Sequence, residues 1–276
     1  MGGDPAPADV ATGSGLLAPF AEDPAHSVVI VDFDGTLAPI VPDPPGAAPL
    51  YGADAALARL ARHVGTVAIV SGRPVAFLRG ALPVTGLVLY GHYGVERFDG
   101  SAMSTSPSAQ AWVEAIRSAG DEAEAALPRL FVERKGALSV ALHWRRNPDL
   151  ESEATDLGRR LAGQWGLRLE PGRQALELRP PLDIDKGTAT TELAAGATAA
   201  LVIGDDRGDL AAFGALDRLV SGGGLRHALR VAVRSSESPL ELLARADLEV
   251  DGPEGALALL TDLANRIETV ADGASG

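Results

Sequence analysis

The run VVIVDF, residues 28–33, is apolar at four consecutive positions before its aspartate. A strand that is apolar on both faces needs cover on both, the environment of a parallel sheet sandwiched between helices. The neighbouring segments supply that cover. Residues 53–64 place Ala53, Ala56, Leu57, Leu60, Ala61 and Val64 on one helical face, and TVAIV (66–70) and LVLY (87–90) are apolar again. Strand, helix, strand in this order is a βαβ rhythm. It resumes after about residue 184, with a helix in KGTATTELAAG, a strand in AALVIG, a helix in RGDLAAF, strands in VAV (231–233) and LEV around the helix PLELLARA, and a last helix from Glu254 to about Ile267.

Between the halves the pattern changes. Residues 109–127 read as an amphipathic helix around Trp112 and Ile116, ALSVALHWR (137–145) alternates apolar and polar residues, 150–165 read as a second helix, and LRLE and QALELRP alternate again. Strict alternation describes a sheet with one buried and one open face, usually antiparallel. An α+β insertion therefore interrupts an α/β core.

The chain has 276 residues, enough for one large or two smaller domains, and 46% hydrophobic residues to build a core. A net charge of −13 without a basic block argues against nucleic acid or an anionic membrane as partner. No apolar run approaches the ~20 residues that span a bilayer, and MGGDPAPADVATGSG lacks the basic and apolar stretches of a secretion signal, so the expected location is cytoplasmic and the expected state a monomer. With no cysteine, disulfides, thiolate zinc sites and a cysteine nucleophile are excluded.

Ligands of open parallel sheets bind at the carboxyl ends of strands. Four segments put reactive groups there: Asp32 and Asp34 after the first strand, Ser71 in VSGRP, Lys186 in DIDKGTA, and Asp205, Asp206 and Asp209 in VIGDDRGDLAAF. Several acids with one lysine and one hydroxyl suit a hard divalent cation such as Mg²⁺ together with a phosphate. DFDGTL, VSGR, the lysine of DKG and GDDRGD, in this order, resemble the four motifs of the haloacid dehalogenase-like phosphohydrolases. The resemblance implies that Asp32 is a nucleophile forming an aspartyl-phosphate, that Asp34 is the acid and base and ligates the metal through its main-chain carbonyl, and that Asp32, Asp34 and Asp205 hold Mg²⁺. Asp206 and Asp209 would support the metal from behind. Ser71, Gly72 and Lys186 would hold the phosphoryl oxygens, and Gly35 and Thr36 fit a tight turn whose amides can face phosphate. In that superfamily the insertion is a cap over the core.

Within the insertion, Glu133 with Lys135, His143 with Arg145, and Glu177 with Arg179 stand two residues apart, so each pair shares a strand face opposite Leu138, Val140, Leu142, Leu176 and Leu178. Carboxylates, cations and an imidazole on one face can read sugar hydroxyls. DFDGTLAPIVPDP, GHYGVE (91–96), ERK with HWR, ELRP before DKG, and GDDRGDLAAF make residues 26–265 similar to trehalose-6-phosphate phosphatases. That resemblance implies trehalose 6-phosphate as the substrate and Glu133, Lys135, His143, Arg145, Glu177 and Arg179 as sugar contacts. Gly94 and Glu96 would join them at the hinge, with either His92 or Tyr93 standing for the family's histidine. The fourth motif departs from the family pattern, with Gly208 in place of threonine and Leu210-Ala211 in place of two acids. The alternatives are another sugar-phosphate phosphatase on the same scaffold, for a sucrose, glucosylglycerol or mannosylglycerate phosphate, or a non-catalytic sugar-phosphate-binding module.

The expected fold class is α/β, a Rossmannoid core with a parallel sheet and helices on both faces plus an inserted α+β cap with a mainly antiparallel sheet. The expected boundaries are a disordered segment at 1–15, a discontinuous core of 16–96 and 182–270, a cap at 97–181 and a flexible tail at 271–276. Gly and Pro in GHYG and PPLDIDKG suit hinges at the two crossings.

Overall fold

The computed structural model describes residues 15–41, 43–172 and 174–273. Its larger sheet is built around β1 (Ser27–Val31), buried at every position. β1 lies between β2 (Thr66–Val70) and β10 (Ala199–Gly204), parallel to both. β3 (Leu87–Gly91) extends the parallel array beyond β2, and β11 (His227–Arg234) and β12 (Leu248–Asp251) extend it beyond β10. The chain thus reverses its winding at β1, which is the switch point where a crevice opens.

Alternation along β1 assigns its two faces. Val29 and Val31 enter one core with α1 (Ala18–Glu22), α2 (Ala53–Leu60), α3 (Val75–Ala81) and α10 (Gly252–Gly273). Val28 and Ile30 enter the other with α7 (Lys186–Leu193), α8 (Asp209–Ser221) and α9 (Leu240–Arg245). The smaller sheet has the order β6-β7-β9-β8, all antiparallel: β6 (Phe131–Lys135), β7 (Ser139–His143), β9 (Ala175–Arg179) and β8 (Arg168–Gly172). Val140, Leu142, Leu176 and Leu178 bury its apolar face against α5 (Val113–Ala126) and α6 (Glu151–Trp165), as the alternation predicts. The opposite face carries the polar pairs.

Three expectations are corrected. The crossing expected at 97 falls within the larger sheet, because β4 (Glu96–Phe98) adds antiparallel to β3, and β5 (Met103–Thr105) adds antiparallel to β4. Asp99 closes their hairpin by accepting from the Ser101 and Ala102 amides, both at 2.9 Å. The helix expected over 109–127 is divided into α4 (Pro107–Gln110) and α5. The expected tail at 271–276 continues α10 to Gly273, since no residue before that glycine breaks the helix. The segment expected to be disordered at 1–15 lies, up to residue 14, outside the described residues.

Candidate active site

The crevice at the switch point has an ionic floor. Asp32, directly after β1, is 5% exposed and its amide donates to Ile203 O of β10 at 2.9 Å. Lys186, the first residue of α7, is 2% exposed. Its Nζ stands 2.8 Å from Asp32 Oδ1, donates to Asp209 Oδ1 at 2.8 Å, and lies 3.6 Å from Asp206. Asp209 Oδ2 also accepts from the amides of Asp205 and Asp206, both at 3.0 Å, so the loop after β10 is folded around this carboxylate. Burial lowers the tendency of Lys186 to hold its proton, but Asp206, Asp209 and Asp32 more than reverse the effect. Burial pushes the carboxyls of Asp32 and Asp209 well up, against the pull of Lys186. Both directions describe a site short of positive charge.

That shortage bears on a metal. Carboxylate oxygens of Asp32, Asp205 and Asp209 lie within 4.8 Å of one another, all buried. Three acids with a single buried lysine form a hard, oxygen-only donor set that fits a divalent cation such as Mg²⁺.

The DFDGTL turn packs beside this cluster. The Gly35 amide donates to Ala38 O at 2.7 Å and the Thr36 amide to Phe33 O at 3.4 Å, while the Thr36 hydroxyl donates to Asp205 Oδ1 at 3.3 Å. These amides close the turn. Gly35 has a different necessity: its φ is +83°, and a Cβ there would come within 2.1 Å of Asp205 Oδ2.

Asp34 points elsewhere. Arg73 Nε donates to Asp34 Oδ2 at 2.7 Å and Arg73 Nη2 to Oδ1 at 2.8 Å, a bidentate pair, and Arg73 Nη1 reaches Glu133 Oε1 of β6 at 3.3 Å. The Asp34 carboxylate is therefore outside the acid cluster. Ser71 is buried and its Oγ accepts from the Arg73 amide at 3.2 Å, which sets the turn that aims the guanidinium.

Above the floor, the smaller sheet closes a cavity of about 170 Å³ whose lining includes Asp32, Asp34, Ser71, Gly72, Lys186 and Asp206 from below and Glu133, Lys135, His143, Arg145 and Glu177 from above. Lys135 donates to Glu177 Oε2 at 2.8 Å, and the Tyr93 hydroxyl donates to the same oxygen at 3.1 Å. Glu133 Oε2 and His143 Nε2 are 2.9 Å apart. Burial alone would raise the Glu177 carboxyl, but Lys135, with Ser139 and His92, together outweigh it and bring the pKa down to about 2.

Three expected sugar contacts stand away from this cavity. Gly94, with φ +118°, packs toward Ile184 and Ala189. Glu96 accepts from the Val75 amide at 2.8 Å and so caps α3. Arg179 lies over the Tyr93 ring, 4.7 Å from its centroid, and donates to Glu170 at 2.9 Å, which draws it into a neighbouring chamber. Of the two hinge candidates, Tyr93 lines the main cavity and His92 does not. Arg73 is a site residue that the motifs alone do not single out, although it stands in VSGRP two residues from Ser71. An acid at position 34 needing a counter-charge was the available signal.

The model of the family described as trehalose-phosphatase matches residues 30–244. A trehalose-phosphate phosphatase of Mycolicibacterium paratuberculosis is 34% identical over 256 residues, covering 88% of this chain and 63% of the relative. One of Mycobacterium leprae is 34% identical over 226 residues, covering 76% of this chain and 51% of the relative. The chain thus spans between half and two thirds of the length of these curated relatives. The C-terminal domain of a C. albicans trehalose-6-phosphate phosphatase superposes with a TM-score of 0.75 at 22% identity, over 91% of this chain and 96% of that one. A haloacid dehalogenase-like hydrolase from Bacteroides thetaiotaomicron gives a TM-score of 0.55 at 15% identity, over 86% of this chain and 99% of that one. These two likenesses bear on the fold, which is that of the haloacid dehalogenase-like enzymes: a Rossmannoid core with a cap. The family match begins inside β1, takes in the whole smaller sheet, every later strand of the larger one except β12, and every acid of the floor, and with it the chain belongs to the trehalose-phosphatase family.

Proposed function

We propose that this chain hydrolyses trehalose 6-phosphate to trehalose and phosphate, with Asp32 as nucleophile and Mg²⁺ as cofactor. The observation that carries the reading is one cavity with two chemistries: Asp32 and Lys186 on the floor, and the Lys135–Glu177 and Glu133–His143 pairs on the roof. A phosphate seated below leaves its sugar among the groups above.

In the first step an Asp32 carboxylate oxygen attacks phosphorus, and the bond from phosphorus to the sugar oxygen breaks. That oxygen takes a proton from Asp34, leaving as the sugar hydroxyl. In the second step Asp34 takes a proton from water, whose oxygen attacks phosphorus and releases Asp32 and inorganic phosphate. Lys186, 2.8 Å from Asp32, sits where it neutralises charge on the phosphoryl oxygens. Ser71 and Gly72 line the same floor. Arg73 orients Asp34 while touching Glu133, which ties the acid to the sugar side of the cavity.

Asp32, Asp205 and Asp209, with the Asp34 main-chain carbonyl, would hold the cation. When bound, Mg²⁺ supplies charge neutralisation for the phosphoryl group and the surrounding acids. The relatives named as trehalose-phosphate phosphatases support the substrate assignment.

The test is phosphate release from a panel of sugar phosphates in the presence of Mg²⁺. Trehalose 6-phosphate is expected to give the highest kcat/KM, and Asp32→Asn to abolish turnover with the fold retained. A preference for another sugar phosphate would remove the substrate assignment, and a variant with normal rate would remove Asp32 as nucleophile.

A further inference from the structure

Of the seven buried side-chain polar atoms without a hydrogen-bond partner among the described residues, all but Tyr90 Oη and Arg97 Nε belong to residues around one space. Both ring nitrogens of His92, Ser139 Oγ, Glu177 Oε1 and Arg179 Nε are buried and unpartnered among the described residues. All four residues line one cavity of about 10 Å³, walled also by Val95, Leu138 and Ile184. His92 comes from the loop after β3, Ser139 from β7, and Glu177 and Arg179 from β9. The cavity therefore lies at the seam between the hinge loop and the smaller sheet.

Leaving one buried donor or acceptor unsatisfied costs ~1–3 kcal/mol, so a fold that gathers four such side chains around one space has something there. The volume is near the ~10–15 Å³ that holds a single water. The chemistry selects the same occupant. Arg179 Nε–H and the Ser139 hydroxyl donate, whereas the Glu177 oxygen and one nitrogen of a neutral imidazole accept. Two donors and two acceptors match the two lone pairs and two hydrogens of water. A cation would meet the Arg179 donor, and an anion would meet Glu177.

We infer that a single internal water is built into this seam, accepting from Arg179 Nε and Ser139 Oγ and donating to Glu177 Oε1 and His92 Nδ1. His92 Nε2 is on the side of Glu96 Oε2, 3.9 Å away and beyond hydrogen-bond reach, and we assign the other ring nitrogen, Nδ1, to the water. Burial lowers the pKa of His92, consistent with a neutral, accepting ring. The Ser139 hydroxyl stands close enough to the Glu177 carboxylate to favour its charged form, so the two face the same space. His92 and Tyr93 both hold positive φ, 49° and 62°, a conformation unfavourable for side chains of this size that needs support from its surroundings. The water gives one such support, because it anchors the His92 ring to two strands of the smaller sheet.

The consequence for the site runs through Glu177. Its Oε2 faces the main cavity, held by Lys135 and Tyr93, and its Oε1 faces the seam. The water fixes the second oxygen and with it the plane of the carboxylate. His92, Ser139 and Arg179 are thus positioning residues for a group that, on the proposed function, binds sugar.

The first test is a high-resolution crystal structure of the full chain. Density for one water within about 2.7–3.2 Å of at least three of the four groups is expected. A dry cavity, or direct bonds among the four side chains, would overturn the inference. The second test is Ser139→Val, which removes the hydroxyl and fills the space. Its crystals are expected to lack the water, and its KM for trehalose 6-phosphate to rise about tenfold with kcat and the rate on a small aryl phosphate within about twofold. Unchanged KM in a variant shown to lack the water would refute the positioning role. If the wild-type chain does not act on trehalose 6-phosphate, the proposed substrate falls, and the density still decides the water.

Discussion

Glu177→Gln separates charge from shape at the best-buried ion pair of the smaller sheet. Glu177 is 6% exposed, and its neighbours hold its pKa at about 2 against an ordinary 4.5. At 1.36 kcal/mol per pKa unit, that gap corresponds to on the order of 3 kcal/mol in favour of the folded state at pH 7. The sign follows from linkage. A carboxyl with a depressed folded pKa stabilises fully above its unfolded value of 4.5, and the contribution fades as pH falls toward about 2. Glutamine keeps the size and an acceptor for Tyr93, but leaves Lys135 buried without its anion. The variant is therefore expected to melt roughly 5–10 °C lower at pH 7. The difference from wild type should shrink to less than half at about pH 3. Calorimetric melts of both proteins across that range are the assay, with phosphate release from trehalose 6-phosphate at pH 7 alongside. A melting difference that is absent, or equally large at both pH values, would refute the argument that the charge of Glu177 is held by its surroundings.

Two further outcomes follow from the floor of the site. A chelator in excess over divalent cations is expected to remove phosphatase activity, with recovery on adding Mg²⁺, because three buried carboxylates share one lysine; full activity in chelator would show that Lys186 suffices. Gly35→Ala is expected to destabilise by ~1–2 kcal/mol from its left-handed backbone alone. It should also lower kcat at least tenfold by displacing Asp205, since the new methyl would lie within 2.1 Å of that carboxylate; chemical denaturation and kcat measure the two effects, and a variant matching wild type in both would contradict the close approach.

The parts of this molecule legible in the sequence are those whose signal is local. β1, β2 and β10 are apolar runs, the faces of β7 and β9 follow from alternation, and three strand ends and the start of α7 carry the reactive groups. Glu133, Lys135, His143 and Glu177 reach one cavity because side chains two apart on a strand share a face, and Arg145 joins them from the turn after β7. The missed features depend on partners far away in the chain. Arg73 meets Asp34 across 39 positions and Glu133 across 60, so no window contains either pair. Glu96 is drawn to the Val75 amide, and Arg179, on the same strand face as Glu177, is diverted by the Tyr93 ring and Glu170. β4 and β5 are three residues each, β5 wholly exposed, and lack the hydrophobic alternation that marks the longer strands.

The unusual fourth motif is reconciled with an intact floor by where its side chains go. Asp209 is the hub of the loop, binding Lys186 and two backbone amides, and Gly204 beside it has no room for a Cβ, which would lie 2.1 Å from the Asp209 carboxyl carbon. Leu210 packs toward the core under α7 and α8. Ala211 contributes its backbone: a Cβ on Gly187 would approach Ala211 O to 2.5 Å, so α7 and α8 cross in near contact there. That crossing sets Lys186 and Asp209 face to face, and it depends on Gly187 and the course of the main chain, not on acids at 210 and 211. Gly208, at helical φ −63°, requires no glycine for its backbone, and its Cα faces Asp206 and the stem of Lys186. The three departures therefore leave the acids and lysine of the floor in register, because the geometry that aligns them is carried by the Asp209 carboxylate and the close approach at Gly187.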